Sequence, residues 1–135
     1  KLKEGAHVLL NTADTSVLKK IPGIGSYFAR QIVAYRNRLG GYSSVSQLAE
    51  IDDFPSGTLS FFQLSADDAS RIRKLNLNKL TLNELKRHPY ISFYQARAIV
   101  DYRRLHGALR SLDDLKLLND FSEDKIRQLQ PYVEF

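Results

Sequence analysis

Residues 18–26 read Leu18-Lys19-Lys20-Ile21-Pro22-Gly23-Ile24-Gly25-Ser26, followed by Ala29 and then Ile32-Val33. Pro22 stops a helix arriving from the N-terminal side, because its ring fixes φ and disfavours helical backbone in the residue before it. Gly23 and Gly25 allow a tight turn, since without a Cβ each accepts positive φ and lets a partner reach the backbone. From Ser26 onward Ala29, Ile32 and Val33 recur at helical spacing, and Arg36 adds an aliphatic stem, which predicts a helix over about residues 26–39. The turn's N–H groups then sit beside the positive end of that helix dipole, an arrangement that receives an anion without side-chain charge. Lys19, Lys20 and Arg30 are close enough in sequence to reinforce it.

The same pattern recurs downstream. Displaced by 67 residues, Asn11 to Pro55 lines up with Asn78 to Ser122 without a gap, and 17 of the 45 positions are identical. A repeat of this size is one supersecondary unit used twice. In each copy Asp14, or Thr81 with Glu84, opens a short helix that Pro22 or Pro89 ends. The longer helices, 26–39 and 93–106, end at Gly40 and Gly107. Ser44 with Gln47, and Ser111 with Asp114, cap a third helix, and a further helical turn closes each copy. Only Phe61 to Leu64 and Tyr132 to Phe135 are ambiguous as strands, so the expected class is all-α. The expected division is a first unit over 1–64, a connecting helix or linker over 65–77 running through Arg71 to Leu77, and a second unit over 78–135. Phe54, Phe61 and Phe62 either fill the first copy's core or meet the second copy.

The chain has 135 residues, a net charge of +5, and neither Cys nor Met. Absence of Cys excludes disulfides, thiolate metal sites and cysteine nucleophiles, and leaves the compartment open. A chain that starts at Lys1 without any Met is expected to be a processed protein or a fragment, with any anchor or export signal upstream. No apolar run approaches the roughly 18–20 residues that span a bilayer, so no membrane contact is expected of this segment. The positive charge favours acidic partners, nucleic acid first.

With the hairpin and both helices in place, the sequence resembles helix-hairpin-helix DNA-binding proteins, and more closely the ComEA-like proteins of competence and DNA uptake in bacteria. Leu10-Asn11-Thr12-Ala13, Ile21-Pro22-Gly23-Ile24-Gly25 and Ile32-Val33-Ala34-Tyr35-Arg36, with Gly40, Tyr42, Ser44 and Leu48, carry the resemblance. The second copy carries it in Ile99-Val100-Asp101-Tyr102-Arg103, Gly107, Leu109, Ser111 and Leu115. The resemblance implies tandem helix-hairpin-helix units of SAM-like fold that hold DNA phosphates on hairpin amides without reading bases. Carried over, the amides are those of Gly23, Ile24 and Gly25, aided by Lys19, Lys20 and Arg30. It also implies a monovalent cation, Na+ or K+, on carbonyls near Ile21 and Gly23, with no other cofactor. A cell-envelope location comes from the resemblance alone, and the cytoplasm is the alternative.

Departures weaken the second copy. His88-Pro89-Tyr90-Ile91-Ser92 lacks both glycines, and Tyr90 is expected to project from the hairpin tip as a protein contact or a stacking surface. The family's second hairpin within each unit is replaced by Ile51-Asp52-Asp53-Phe54-Pro55 and by Asn119-Asp120-Phe121-Ser122-Glu123-Asp124, whose carboxylates repel phosphate. Residues 71–110 carry a balance of +8 and suit a basic groove. Tyr27, Tyr35, Tyr42, Tyr94 and Tyr102 could be taken for base-stacking platforms, but most are expected in the core, as the recurrence of Tyr35 and Tyr102 at identical repeat positions suggests. Enzyme chemistry finds no support: His7, His88 and His106 lack ligand spacing, and no Walker loop or GxSxG elbow occurs. The acid pairs Asp67-Asp68, Asp113-Asp114 and Glu123-Asp124 read as first-turn helix residues. The expected function is sequence-nonspecific DNA binding; the alternative is a protein-interaction or self-associating scaffold on a degenerate version of the fold.

Overall fold

The computed structural model describes residues 2–3 and 5–135, and the chain divides into two compact units, 1–72 and 73–135. The first unit runs through strand β1 (Val8–Leu9), helix α1 (Thr15–Leu18) and helix α2 (Ser26–Leu39). Two 3-10 segments, Val45–Glu50 and Ser56–Phe61, precede strand β2 (Phe62–Gln63) and helix α3 (Asp68–Arg71). The second unit runs through β3 (Leu75–Asn76), α4 (Leu82–Lys86), α5 (Phe93–His106), α6 (Leu112–Leu115) and α7 (Glu123–Leu129). A 3-10 turn, Gln130–Tyr132, leads into β4 (Val133–Glu134).

Local chemistry sets the helix limits. Asp14 Oδ1 accepts the Val17 N–H at 2.9 Å, and Thr81 and Glu84 exchange hydrogen bonds across the start of α4. Both long helices span the predicted residues and end at Gly40 and Gly107, with φ of 90° and 83° that favour glycine. Ser44 and Gln47 form the predicted box, but the segment they open winds as a 3-10 helix. At α6 the predicted box divides: Ser111 Oγ accepts the Asp113 N–H, while the Asp114 carboxylate takes the Arg110 N–H at 2.7 Å.

The structure is mainly helical, in keeping with the all-α expectation, and each unit adds one short parallel strand pair. Val8 and Leu9 pair with Phe62 and Gln63, and Leu75 and Asn76 pair with Val133 and Glu134. Phe62–Gln63 and Val133–Glu134 fall in the two stretches that are ambiguous as strands, whereas their partners Val8–Leu9 and Leu75–Asn76 display no period and lie at the far end of each unit, so pattern alone misses those two. The predicted connecting helix stops at Arg71 for the same reason. Leu75 joins the backbone pairing with Val133, and so short a helix has too little intrinsic stability to continue against that.

In the first unit Leu10, Leu18, Ile21, Ile32, Leu39, Tyr42 and Leu48 are fully buried. Phe54 packs on Phe28 and Phe62 at ring distances of 5.8 and 6.4 Å, which is the core-filling role. Leu77, Leu85, Ile99, Leu109, Leu115 and Leu129 form the corresponding interior of the second unit. Two polar side chains brace each interior. Asn11 donates to the Tyr42 carbonyl at 2.9 Å and accepts the Tyr42 N–H at 2.7 Å; Asn78 does the same to Leu109, both at 2.8 Å. Arg36 Nη1 donates to the Leu10 and Ala13 carbonyls, and Arg103 Nη1 to those of Leu77 and Leu80. These identities of the repeat are therefore clamps between the entry of each unit and its long helix or the segment beyond.

Replacing Asn11 or Asn78 by Ala strands a backbone donor and acceptor and should cost about 1–3 kcal/mol in that unit. Urea denaturation should show a lower midpoint at unchanged slope. A second expectation concerns acid. Hydrogen bonds from Thr81, backbone first and hydroxyl second, hold the Glu84 carboxyl below its ordinary value of 4.5. Its support of α4 is then complete above that value and lost as pH falls through the lowered one. Glu84→Gln should flatten this acid dependence, read from α4 amide chemical shifts.

Candidate nucleic-acid interface

Pro22 and Gly23 form the middle of a turn closed by the Ile24 N–H, which donates to the Ile21 carbonyl at 3.0 Å. Proline followed by φ +95° at Gly23 is the type II pattern, which favours glycine at that second position. A Cβ on Gly23 would also stand 3.1 Å from Thr58 Cγ2, so the turn is packed against the 3-10 segment Ser56–Phe61. Ile21 and Ile24 are buried while Pro22, Gly23 and Gly25 are exposed. Two isoleucines thus anchor the loop and leave its backbone in solvent.

Gly25 caps α2 with no side chain, so the amides of the first turn of α2 receive no side-chain acceptor. The Gly23 and Gly25 N–H groups also meet no acceptor among the described residues. Ile24, expected as a third donor, is corrected: its N–H is engaged in closing the turn. The open donors are Gly23, Gly25 and the start of α2. Residues 19–25 line one shallow concavity around them. Lys19, Lys20 and Arg30 are exposed and pair with no carboxylate among the described residues. The Ile21 and Gly23 carbonyls are neutral oxygens of the kind a monovalent cation accepts, and Ile21 keeps a second lone pair beyond its turn bond.

The second hairpin keeps the closing bond, Ile91 N–H to the His88 carbonyl at 3.1 Å, and closes everything else. The Tyr90 N–H donates to His88 Nδ1 at 3.0 Å, and the Ser92 N–H to Gln95 Oε1 at 2.8 Å. Ser92 Oγ in turn accepts the Gln95 N–H at 3.2 Å. The amides that match Gly23 and Gly25 are therefore satisfied within the loop. Tyr90 does not project as expected. Among the described non-glycine residues only Asp53 has positive φ, so the chain turns differently at Tyr90. Its half-buried ring folds back on buried His88 and Tyr132, at 5.3 and 5.8 Å.

Two further turns share the closing bond: Phe54 N–H to Ile51, and Phe121 N–H to Leu118, both at 3.1 Å. The second hairpin of each unit thus persists in geometry and departs in chemistry. Asp53 occupies the positive-φ position at 59°, and Pro55 brings no N–H where Gly25 offers one. The predicted basic groove over 71–110 also contracts. Arg71 pairs with Asp67, Arg97 and Arg104 with Asp101, and Arg110 with Asp114, while Arg103 serves the interior.

Comparison with known proteins gives the same outline. A family model described as the helix-hairpin-helix motif matches residues 3–61 and again residues 70–134. The chain belongs to the helix-hairpin-helix family. Its curated relatives include endonuclease/exonuclease/phosphatase family domain-containing protein 1 of Danio rerio, 31% identical over 93% of this chain. The proteins of that name from Mus musculus and Homo sapiens are 28% and 26% identical over 87% of it. The chain spans about a quarter of their length, 26% in each case. No solved structure matches it significantly.

Seen as a helix-hairpin-helix protein, the chain exposes two side chains that its sequence had suggested for the core. Tyr27 and Tyr94 are 57% and 68% exposed, each just inside its hairpin. Each lies two positions before a buried alanine, Ala29 or Ala96, and so roughly 200° around the helix from it. That rotation was the available signal. The glycine roles also separate by stability. Gly25→Ser meets open space at an ordinary φ and should raise the melting temperature slightly by capping α2. Gly23→Ala should lower it by the equivalent of about 1 kcal/mol or more, since it is both strained and crowded.

Proposed function

We propose that this chain is a sequence-nonspecific DNA-binding module, without catalytic activity of its own, built from tandem helix-hairpin-helix units of SAM-like type. The open Gly23 and Gly25 amides at the start of α2 carry the reading, because this hairpin leaves its glycine amides open among the described residues and holds no carboxylate, whereas the 88–92 hairpin satisfies its amides from within and the other two carry Asp52–Asp53 and Asp120. A phosphate oxygen there takes backbone hydrogen bonds and the favourable end of the α2 dipole, while Lys19, Lys20 and Arg30 supply screening-sensitive attraction. Nothing in these contacts reads a base edge. A monovalent cation on the Ile21 and Gly23 carbonyls would add positive charge beside the same phosphate. The second unit then serves as a support whose hairpin does not grip.

The resemblance to competence proteins supplies one setting, DNA capture at the cell envelope. The relatives' name supplies another, a DNA-holding segment beside an endonuclease/exonuclease/phosphatase domain in a longer protein. Both need the same contact. Titration of labelled duplex by fluorescence anisotropy should give a dissociation constant of about 10⁻⁴–10⁻⁶ M at physiological salt. Three participating cations imply a log–log salt slope near −3, and each Lys19→Ala, Lys20→Ala or Arg30→Ala change should reduce it by about one. Gly25→Glu, which fits without strain, should abolish binding while the circular dichroism melt stays intact. Unaltered binding in that variant would dismiss the loop as the phosphate site. The protein-interaction reading is favoured by exposed Phe93, Tyr94, Leu105 and Leu117 in the second unit, and it predicts no binding to DNA even at low salt.

A further inference from the structure

Beside the open hairpin, one face of α2 carries features that phosphate binding does not use. Tyr27, Gln31, Tyr35 and Arg38 follow at helical spacing and line a cleft with Glu50 and Asp52 from the far side. The cleft volume is about 230 Å³, below the roughly 300–1,000 Å³ of pockets that hold drug-sized ligands, so it suits a single ring system. The Tyr35 hydroxyl donates to Glu50 Oε1 at 2.6 Å and fixes that carboxylate at the rim. Tyr27 stands two residues after Gly25, at the end of the cleft nearest the hairpin, with its exposed ring edge-on to Phe28 at 5.1 Å.

The second unit provides an internal comparison. At the positions equivalent to Gln31, Arg38 and Glu50 it has Ala98, Leu105 and Leu117, while both tyrosines persist as Tyr94 and Tyr102. The unit that closed its hairpin amides therefore also lacks these three polar groups of the cleft. The copy with open loop donors is the one that carries Gln31, Arg38 and Glu50, while Asp52 keeps a polar counterpart in Asn119. Acidic groups in a phosphate-binding surface are otherwise unhelpful, since they repel the backbone. They are useful acceptors for the amino and imino groups of a base edge, and Gln31 and Arg38 supply donors.

We propose that the cleft is a nucleobase subsite, and that the first unit holds unpaired DNA in preference to duplex. The strand places a phosphate on Gly23 and Gly25, stacks the adjoining base on Tyr27, and directs its edge toward Gln31 and the carboxylates. A base inside a duplex has its edge paired and its faces stacked, so it cannot make this contact. The inference rests on the phosphate reading and deepens it by naming the form of the DNA.

The experiment uses the full chain and three labelled probes in anisotropy at low salt: a 12-nucleotide oligo-dC, an abasic oligomer of equal length, and a duplex. Oligo-dC should bind roughly five-fold or more tightly than the abasic oligomer, the difference that one aromatic stack supplies. Tyr27→Ala should erase that difference, Tyr27→Phe should keep it, and Tyr94→Ala should change nothing. Equal binding of oligo-dC and the abasic oligomer to the unaltered chain would overturn the base subsite and leave the phosphate loop standing. No binding of any probe would remove both. If Tyr27→Ala weakened the two oligomers equally in a chain that still melts normally, the ring would be bracing the loop, and the proposal would fail. Tighter binding of duplex than of oligo-dC would also overturn it.

Discussion

Every helix begins with backbone N–H groups that have no carbonyl one turn back to receive them, and this structure is organised by how each start meets that need. Asp14, Ser44, Thr81, Ser92, Ser111 and Ser122 each place a side-chain oxygen on an early amide. Gly25 does not. The donors that a serine would have satisfied there stay open. The second unit shows the alternative in full, where Ser92, Gln95 and His88 together satisfy the equivalent donors from within. A cap stabilises a helix by about 1 kcal/mol, so the open start forgoes some local stability, which the proposed phosphate contact would use.

Such divergence between two loops is possible because the loops do not hold the units together. The Asn11 and Asn78 clamps, the Arg36 and Arg103 bonds to carbonyls, and the buried alanine and isoleucine of each long helix are shared by both units. The isoleucine that follows the turn is shared too, as Ile24 and Ile91, and it remains buried in each. With these fixed, the central residue of the turn changes from Gly23 to Tyr90 while the closing bond persists.

Much of this was legible from residue spacing. Pro22, the glycines and the buried period of α2 announce the hairpin, and the repeat displaced by 67 residues locates its altered copy. The features that escaped are those whose cause is distant in the chain. Val8–Leu9 is a strand only because Phe62–Gln63 lies beside it, and no property of two residues reveals that. Tyr90 was misplaced because His88 and Tyr132 offered its ring a surface that sequence does not locate. The Ile24 amide was misread for a local reason, since the turn that presents the loop also uses one of its donors. Tyr27 was recoverable from helical rotation, since it lies two positions before buried Ala29.

The strand pairs at the base of each unit run parallel. The chain therefore leaves a unit travelling in the direction in which it entered, with its entry and exit segments side by side. Topologically each unit is an excursion from a line that then resumes its course. A further unit introduced after Ile72, at the boundary of the two units, would interrupt neither strand pair and would leave the first unit's interior intact. Such an architecture grows by duplication without renegotiating its interior, which leaves each new copy free to keep its hairpin open or to seal it.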